Sequence, residues 1–256
     1  MPVLKRNTLA EALSRGLGLL PLPESLLRTF FRVLLLAAGG RKPESALRCL
    51  LRLETDLANM LDIVAVRYDG GVHAKHRLTR YHAFFIERLR PGERVLDIGC
   101  GNGALARDLA VTAGAVVTGI DIDAENIAKA IRQPAHPNLR FLQGDATREL
   151  PEGAYDAMVL SNVLEHLKDR ENFLRTMVRR ARPARLLIRV PLLERHWTVP
   201  LRQELGLFHY CDATHETEYT EASFATEMAG AGLALTEIQI HWGEIWAVAE
   251  PLRDTA

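Results

Sequence analysis

The chain is poor in cysteine and in aromatic residues, and it has no long hydrophobic run. Its three cysteines, Cys49, Cys100 and Cys211, form no C-x-x-C pair and no even framework. That excludes a disulfide scaffold, fits a reducing compartment and argues against structural zinc. No apolar stretch approaches the ~20 residues that cross a bilayer. The opening run MPVLKRNTLAEALSRG has neither an apolar secretory core nor a small-residue cleavage site, so the expected location is cytoplasmic. Net charge is also missing. Lys and Arg total 32, as do Asp and Glu, and neither a basic excess nor a known module points to nucleic acid. Several chemistries are absent as well: there is no G-x-S-x-G elbow, no G-x-x-x-x-G-K-[ST] loop and no Tyr-x-x-x-Lys. HETEY at His215 lacks the second His of H-E-x-x-H. No repeats or low-complexity segments occur.

The run VLDIGCGNGALA, from Val95 to Ala106, carries the most information. Val95, Leu96 and Ile98 make a short β-rich stretch. Gly99, Gly101 and Gly103 follow on alternate positions, and Leu105, Ala106, Leu109 and Ala110 then recur at helical spacing. A glycine turn between strand and helix lets a ligand approach bare backbone at the helix N-terminus. Dinucleotide-binding turns read G-x-G-x-x-G and hold a pyrophosphate. Here the pattern is G-x-G-x-G, with Asp97 two residues before it. A carboxylate there disfavours a pyrophosphate and favours a cationic group, such as the sulfonium and ammonium of S-adenosylmethionine.

Three further strands follow in register. AVVTGID (115–121) ends in Asp121, about 20 residues past the turn, where an acid accepts ribose hydroxyls. LRFLQGD (139–145) ends in Asp145, which can accept from an adenine amino group. YDAMVLSN (155–162) runs into the helical-looking VLEHLKDRENFLRTMVRRA. Acids at consecutive strand ends suit a ligand, because ligands bind outside the carboxyl ends of such strands.

From Tyr81 to Pro251 the chain resembles class I S-adenosylmethionine-dependent methyltransferases, in the broad group that includes the ubiquinone and menaquinone biosynthesis enzymes. VLDIGCGNG resembles the first motif, GIDID the second, LQGDA the third and YDAMVLSNVLEHL the fourth. THETEYTEASFATEMAGAGL resembles the late segment. The resemblance implies a Rossmann-like α/β domain with a mostly parallel seven-stranded sheet, an antiparallel last strand and flanking helices. It implies S-adenosylmethionine as cofactor, held by Asp97, Gly99, Cys100, Gly101, Asn102, Gly103, Asp121, Ile122, Asp145, Ala146 and Asn162. Arg77 or Tyr81 would meet the methionine carboxylate. Cys100 reads as a small buried residue and not as a nucleophile. ALTEIQIHW and EIWAVAEP, with Gly243 between, look like the closing antiparallel pair.

Methyl transfer to a hydroxyl needs a base, and His166, His215 and His209 are the candidates, with His166 favoured over His215. Small-RNA 2′-O-methyltransferases and some quinone-pathway relatives carry E-x-x-E-H where this chain has Asn162 to His166. Asn in the first place is a weaker ligand for a hard cation, so no metal is expected. The insertion 192–220, with Trp197, Phe208 and Tyr210, is the expected acceptor pocket. A small-molecule or glycan hydroxyl is the favoured acceptor. An RNA or protein methyltransferase, or a cofactor-binding subunit without chemistry of its own, are the other readings.

The balanced charge is unevenly spread. Residues 1–90 hold 15 Lys and Arg against 8 Asp and Glu, a net of +7, and the remainder is correspondingly acidic. Residues 1–67 read as a helical extension before a methyltransferase domain at 68–256. SLLRTFFRVLLLAA (25–38) is almost wholly apolar, with Arg28 and Arg32 on one face. PESALRCLLRLETDLANMLDIVAV is a second amphipathic helix. The expected role is a cap on the catalytic domain or on a second copy in a homodimer. Peripheral membrane contact is the alternative.

Overall fold

The computed structural model describes residues 22–252 apart from residue 152. The run MPVLKRNTLAEALSRG lies outside the described residues. The chain divides into two compact units, one of residues 1–75 with 200–213 and one of 76–199 with 214–256.

In the first unit, α1 (Glu24–Gly39) and α2 (Pro43–Tyr68) form a hairpin turned by Gly40 to Lys42. Pro43 opens α2, where its missing N–H costs nothing. Ala38 of α1 and Ala46 of α2 are buried, small residues that let the two backbones approach. The sequence places 200–213 inside the 68–256 domain, but this segment clusters with the helices. Leu205 and Leu207 bury against Leu51. Arg202 donates to the Leu51 carbonyl at 2.7 Å and to Glu54 at 3.0 Å, and Arg48 donates to the Leu205 carbonyl.

The remaining helices are α3 (Lys75–Thr79), α4 (Tyr81–Ile86), α5 (Ala104–Val111), α6 (Ala124–Ile131), α7 (Arg170–Ala181), α8 (Thr198–Glu204) and α9 (Glu221–Gly230). The strands are β1 (Arg94–Ile98), β2 (Val116–Asp121), β3 (Leu139–Gln143), β4 (Ala157–Ser161), β5 (Arg185–Pro191), β6 (Leu233–His241) and β7 (Glu244–Pro251). They form one seven-stranded sheet in the order β3-β2-β1-β4-β5-β7-β6. The first five are parallel, and β7 runs antiparallel to both β5 and β6. This is the Rossmann-like architecture with an antiparallel closing pair.

Alternation along the strands explains the layers. Leu96, Ile98, Met158, Leu160, Leu186 and Ile188 pack in one cluster with Leu174 and Met177 of α7 and Phe224 and Met228 of α9. Their neighbours Val95, Val117, Ala157, Val159 and Leu187 pack in another with Phe84, Phe85, Leu105 and Leu109. Central strands therefore bury both faces, as parallel strands do, and each large apolar side chain contributes about 1.5–3 kcal/mol. Strand order runs outward from β1 to β3 on one side and from β4 on the other, which opens a crevice at the carboxyl ends of β1 and β4.

One helix differs from the sequence reading. VLEHLKDRENFL reads as continuous helix, but Leu164–His166 is a single 3₁₀ turn and α7 starts only at Arg170. Leu164 and Glu165 are both buried, and Asp169 leaves helical geometry at φ −111°, ψ 66°.

Candidate active site

The chain leaves β1 at Ile98 and turns through three glycines at positive φ before α5 begins. At two of them no side chain fits. A Cβ on Gly99 would lie 2.7 Å from Cγ2 of Val163, and one on Gly103 would lie 2.7 Å from Cε1 of Phe141. The Gly101 N–H donates to Oδ2 of Asp121 at 2.7 Å, and the Asp123 N–H donates to Oδ1 at 2.8 Å. The end of β2 is thereby fixed to the turn, and both carboxylate oxygens retain accepting capacity.

Asp97 is buried within β1, and its Oδ2 has no hydrogen-bond partner. Burial, reinforced by the neighbouring Asp121 charge, pushes its carboxyl up to about 8. A cationic group placed beside such an acid would favour its ionised form.

Gly99, Asp121, Ile122, Asp145 and Ala146 line a cleft of about 270 Å³ with Ile98, Ile120, Gly144, Thr147, Val163, Leu167 and Phe173. Ile122, Leu167 and Phe173 supply apolar walls, and Asp145 a polar end. Asp145 accepts from the Thr147 hydroxyl at 2.6 Å and from its N–H at 3.0 Å. These bonds hold its carboxyl below the usual range. Leu167 and Phe173 were not singled out from the sequence. Leu167 closes the fourth motif just after the 3₁₀ turn, and Phe173 lies beyond the motif on α7.

The other expected cofactor residues do not line this cleft. Cys100 is buried, and burial with the charges of Asp97 and Asp121 pushes its thiol up. Asn102 is exposed; its carbonyl accepts from Gln133 at 2.8 Å and its side chain from the Ala104 N–H at 3.3 Å. Asn162 stands at φ 57° after β4, with its buried Oδ1 lacking a hydrogen-bond partner. Arg77 is exposed on α3. Tyr81 is buried, its hydroxyl 2.7 Å from Nδ1 of His76 and its ring 3.8 Å beneath the Arg189 guanidinium. Burial pushes that hydroxyl up to about 12.

Arg189 was missed by the sequence reading. It is buried on β5, donates twice to Glu244 at 2.6 Å and once to Ser161 at 3.2 Å. The available signal was a lone Arg inside the apolar run LLIRVP.

His166 and His215 come together. Their rings meet edge to face with centroids 4.8 Å apart. His166 is exposed on the 3₁₀ turn, its Nδ1 at 3.0 Å from the Thr214 hydroxyl and 3.3 Å from the Thr214 carbonyl. Nδ1 of His215 lies 2.9 Å from Oε1 of Glu218, which is fully enclosed and also receives Arg195. The N–H groups of Glu216 and Thr217 donate to the Glu165 carbonyl at 2.8 and 3.3 Å, tying the late loop to the turn. The Glu165 side chain is wholly buried with no hydrogen-bond partner on either oxygen. Burial drives its carboxyl up to about 7, against the pull of His215 and Arg189. Donor atoms of Glu165, His166 and His215 lie within 4.8 Å of one another, near enough to share a cation. His209 falls in the helical unit, with Nδ1 3.4 Å from the Leu207 carbonyl.

Known proteins are similar to parts of this chain. Over 139 residues the chain is 37% identical to a demethylmenaquinone methyltransferase of Beutenbergia cavernae, covering 52% of this chain and 56% of that protein. Over 101 residues it is 39% identical to a ubiquinone biosynthesis O-methyltransferase of Caulobacter sp. strain K31, covering 38% and 40%. The chain thus spans about half the length of the curated relatives it matches. Among solved structures, a Synechocystis magnesium protoporphyrin IX methyltransferase with bound S-adenosylhomocysteine superposes with a TM-score of 0.55, at 21% identity, over 69% of this chain and 83% of that one. That likeness shows the fold. The family model for the methyltransferase domain matches residues 71–238, and with the glycine turn, the strand-end acids and the seven-stranded sheet already in place, the chain belongs to that family.

Proposed function

We propose that the chain transfers a methyl group from S-adenosylmethionine to a hydroxyl of a small molecule or glycan. The observation that carries this is the buried, unpartnered carboxylate of Asp97 beside the glycine turn, with Asp121 fixed across it and the His166–His215 pair at the neighbouring strand end. The residues fit the cofactor. Asp121 would accept the ribose hydroxyls, Asp97 would face the methionine ammonium, and Asp145 with Ala146 and the apolar walls would hold adenine. The bound cofactor supplies an electrophilic methyl on a sulfonium.

The chain's own residues then have two tasks. The first is alignment, which contributes about 7–11 kcal/mol when reactants are held in line. The rigid turn and the 3₁₀ turn after β4 provide fixed walls for this. The second is removal of the acceptor proton, commonly worth about 10²–10⁴ in rate. His166 is exposed and takes that role. His215, held by Glu218, sits edge to face against it and helps to fix the orientation of its ring. The similarity to a ubiquinone biosynthesis O-methyltransferase supports a hydroxyl acceptor.

The test is incubation of extract metabolites with purified protein and methyl-labelled cofactor, read by mass spectrometry. Label appearing in an O-methyl product supports the reading. Label in RNA or protein only, or in nothing while the cofactor binds, replaces it with the other two readings.

A further inference from the structure

α1 carries an apolar arc that nothing among the described residues covers. At helical spacing Leu26, Leu27, Phe30, Val33, Leu34 and Ala37 share one side, while Arg28 and Arg32 lie on the other. Phe30 is 64% and Val33 57% exposed, against 5% for Ala38, which meets α2. α2 has an exposed apolar stripe of its own, with Leu57, Met60, Leu61, Val64 and Tyr68 at helical spacing. Exposed apolar stripes on both helices exceed the single scattered apolar residues of an ordinary surface.

Charge decides what the face meets. The hairpin as a whole, residues 24–68, carries seven cations against five acids, a net of +2, and the excess lies in residues 24–53, where Arg28, Arg32, Arg41, Lys42, Arg48 and Arg52 stand against two acids. Both acids are already paired, Glu24 with Arg28 at 3.8 Å and Glu44 with Arg48 at 2.9 Å. Arg32, Arg41, Lys42 and Arg52 make no ion pair or side-chain hydrogen bond among the described residues. Arg41, Arg48 and Arg52 line one depression of about 330 Å³ with Ser45. A symmetric pairing of two copies would set this net +4 surface against itself. A nucleic acid would leave the apolar arc unused. We infer that the α1–α2 hairpin docks on an anionic lipid surface, with the apolar arc among the acyl chains and the arginines at the headgroup phosphates. α1, 16 residues long, is about 24 Å, too short to cross a core of about 30 Å. No described helix is long and apolar enough to span a membrane, so the helix lies along the surface.

This inference is independent of the acceptor. It is tested by flotation of the full chain with phosphatidylcholine vesicles, with and without phosphatidylglycerol, alongside its mass in solution. The expected result is binding to the phosphatidylglycerol vesicles that weakens with salt, and little binding to phosphatidylcholine alone. A paired Arg32→Glu, Arg41→Glu variant should bind at least about tenfold more weakly. Phe30→Ser with Leu34→Ser should bind neither vesicle. S-adenosylhomocysteine affinity and the helical circular-dichroism signal should both stay unchanged in all of them, which shows that the cofactor unit and the hairpin remain folded. Equal binding to both vesicle types, or none to either, overturns the inference. So does a dimer in solution that Phe30→Ser with Leu34→Ser converts to monomer.

Discussion

The Gly101 N–H donates to Oδ2 of Asp121 at 2.7 Å, so the acid at the end of β2 is held by the same turn that bares backbone to a ligand. In the proposed site Asp121 therefore has two duties, and a single substitution separates them poorly. Asp121→Asn keeps an acceptor for the Gly101 N–H while removing the charge. Asp121→Ala removes both. A charged hydrogen bond contributes about 1.5–3 kcal/mol, so Asp121→Ala should weaken S-adenosylhomocysteine binding by at least about tenfold, and Asp121→Asn by less. Calorimetry on folded variants with unchanged affinity would reject Asp121 as the ribose acid.

Asp97 gives a pH dependence with a definite sign. Unfolded, its carboxyl ionises near 3.9; folded, at about 8. Its contribution to the stability of the ligand-free protein is complete below about pH 4 and is lost as pH rises through 8. Cofactor binding should move the other way. A ligand ammonium favours the ionised acid, so binding releases a proton below pH 8 and affinity climbs from about pH 6 toward 8. Calorimetry in two buffers of different ionisation enthalpy measures that proton directly. In Asp97→Asn the slope should vanish. A flat affinity and no proton release in the native protein would show that Asp97 does not face the ammonium.

Gly103 tests the rigidity of the turn. At φ 79°, with Phe141 in the way, an added methyl has no room and an unfavourable backbone. Overpacking costs about 1–3 kcal/mol, and the left-handed backbone adds roughly 1 kcal/mol for a non-glycine residue. Gly103→Ala should lower the denaturation midpoint accordingly, and Gly103→Ala with Phe141→Leu should recover part of the loss. Gly101→Ala, where nothing lies within 4 Å of the added carbon, should cost only the backbone part. Equal losses at the two positions would mean that Phe141 does not set the requirement.

Those glycines and acids were legible because strand periodicity marks where a strand ends, and a ligand in a parallel sheet sits at that end. The 3₁₀ turn at Leu164–His166 was not, because VLEHL carries helical spacing and only the burial of Glu165 and the Glu216 tether distinguish it. The Arg189–Glu244 pair depends on the antiparallel register of β5 and β7, in which Arg189 stands opposite Trp246 and Glu244 opposite Pro191. No local pattern supplies that register. The hairpin was legible as two amphipathic helices, but amphipathicity tells which face is apolar and not what covers it. The sequence favours a cap or a second copy; the lipid proposal rests on the exposure of Phe30 and Val33 and on the four unpartnered cations.

The remaining prediction separates a histidine base from a bound cation at the same cluster. If His166 takes the acceptor proton, His166→Ala should lower turnover by about 10²–10⁴ with cofactor affinity within a few-fold. Glu218→Gln should cost less, since it only loosens His215. Turnover should then withstand a chelator such as EDTA. If a divalent cation sits among Glu165, His166 and His215, EDTA should abolish turnover and added magnesium, manganese or zinc should restore it, with Glu165→Gln as damaging as His166→Ala. Normal turnover in both His166→Ala and His215→Ala, with EDTA inert, would mean that neither reading holds. The acceptor would then be nucleophilic already, an amine or a thiolate, and alignment by the glycine turn and β4 would carry the reaction alone.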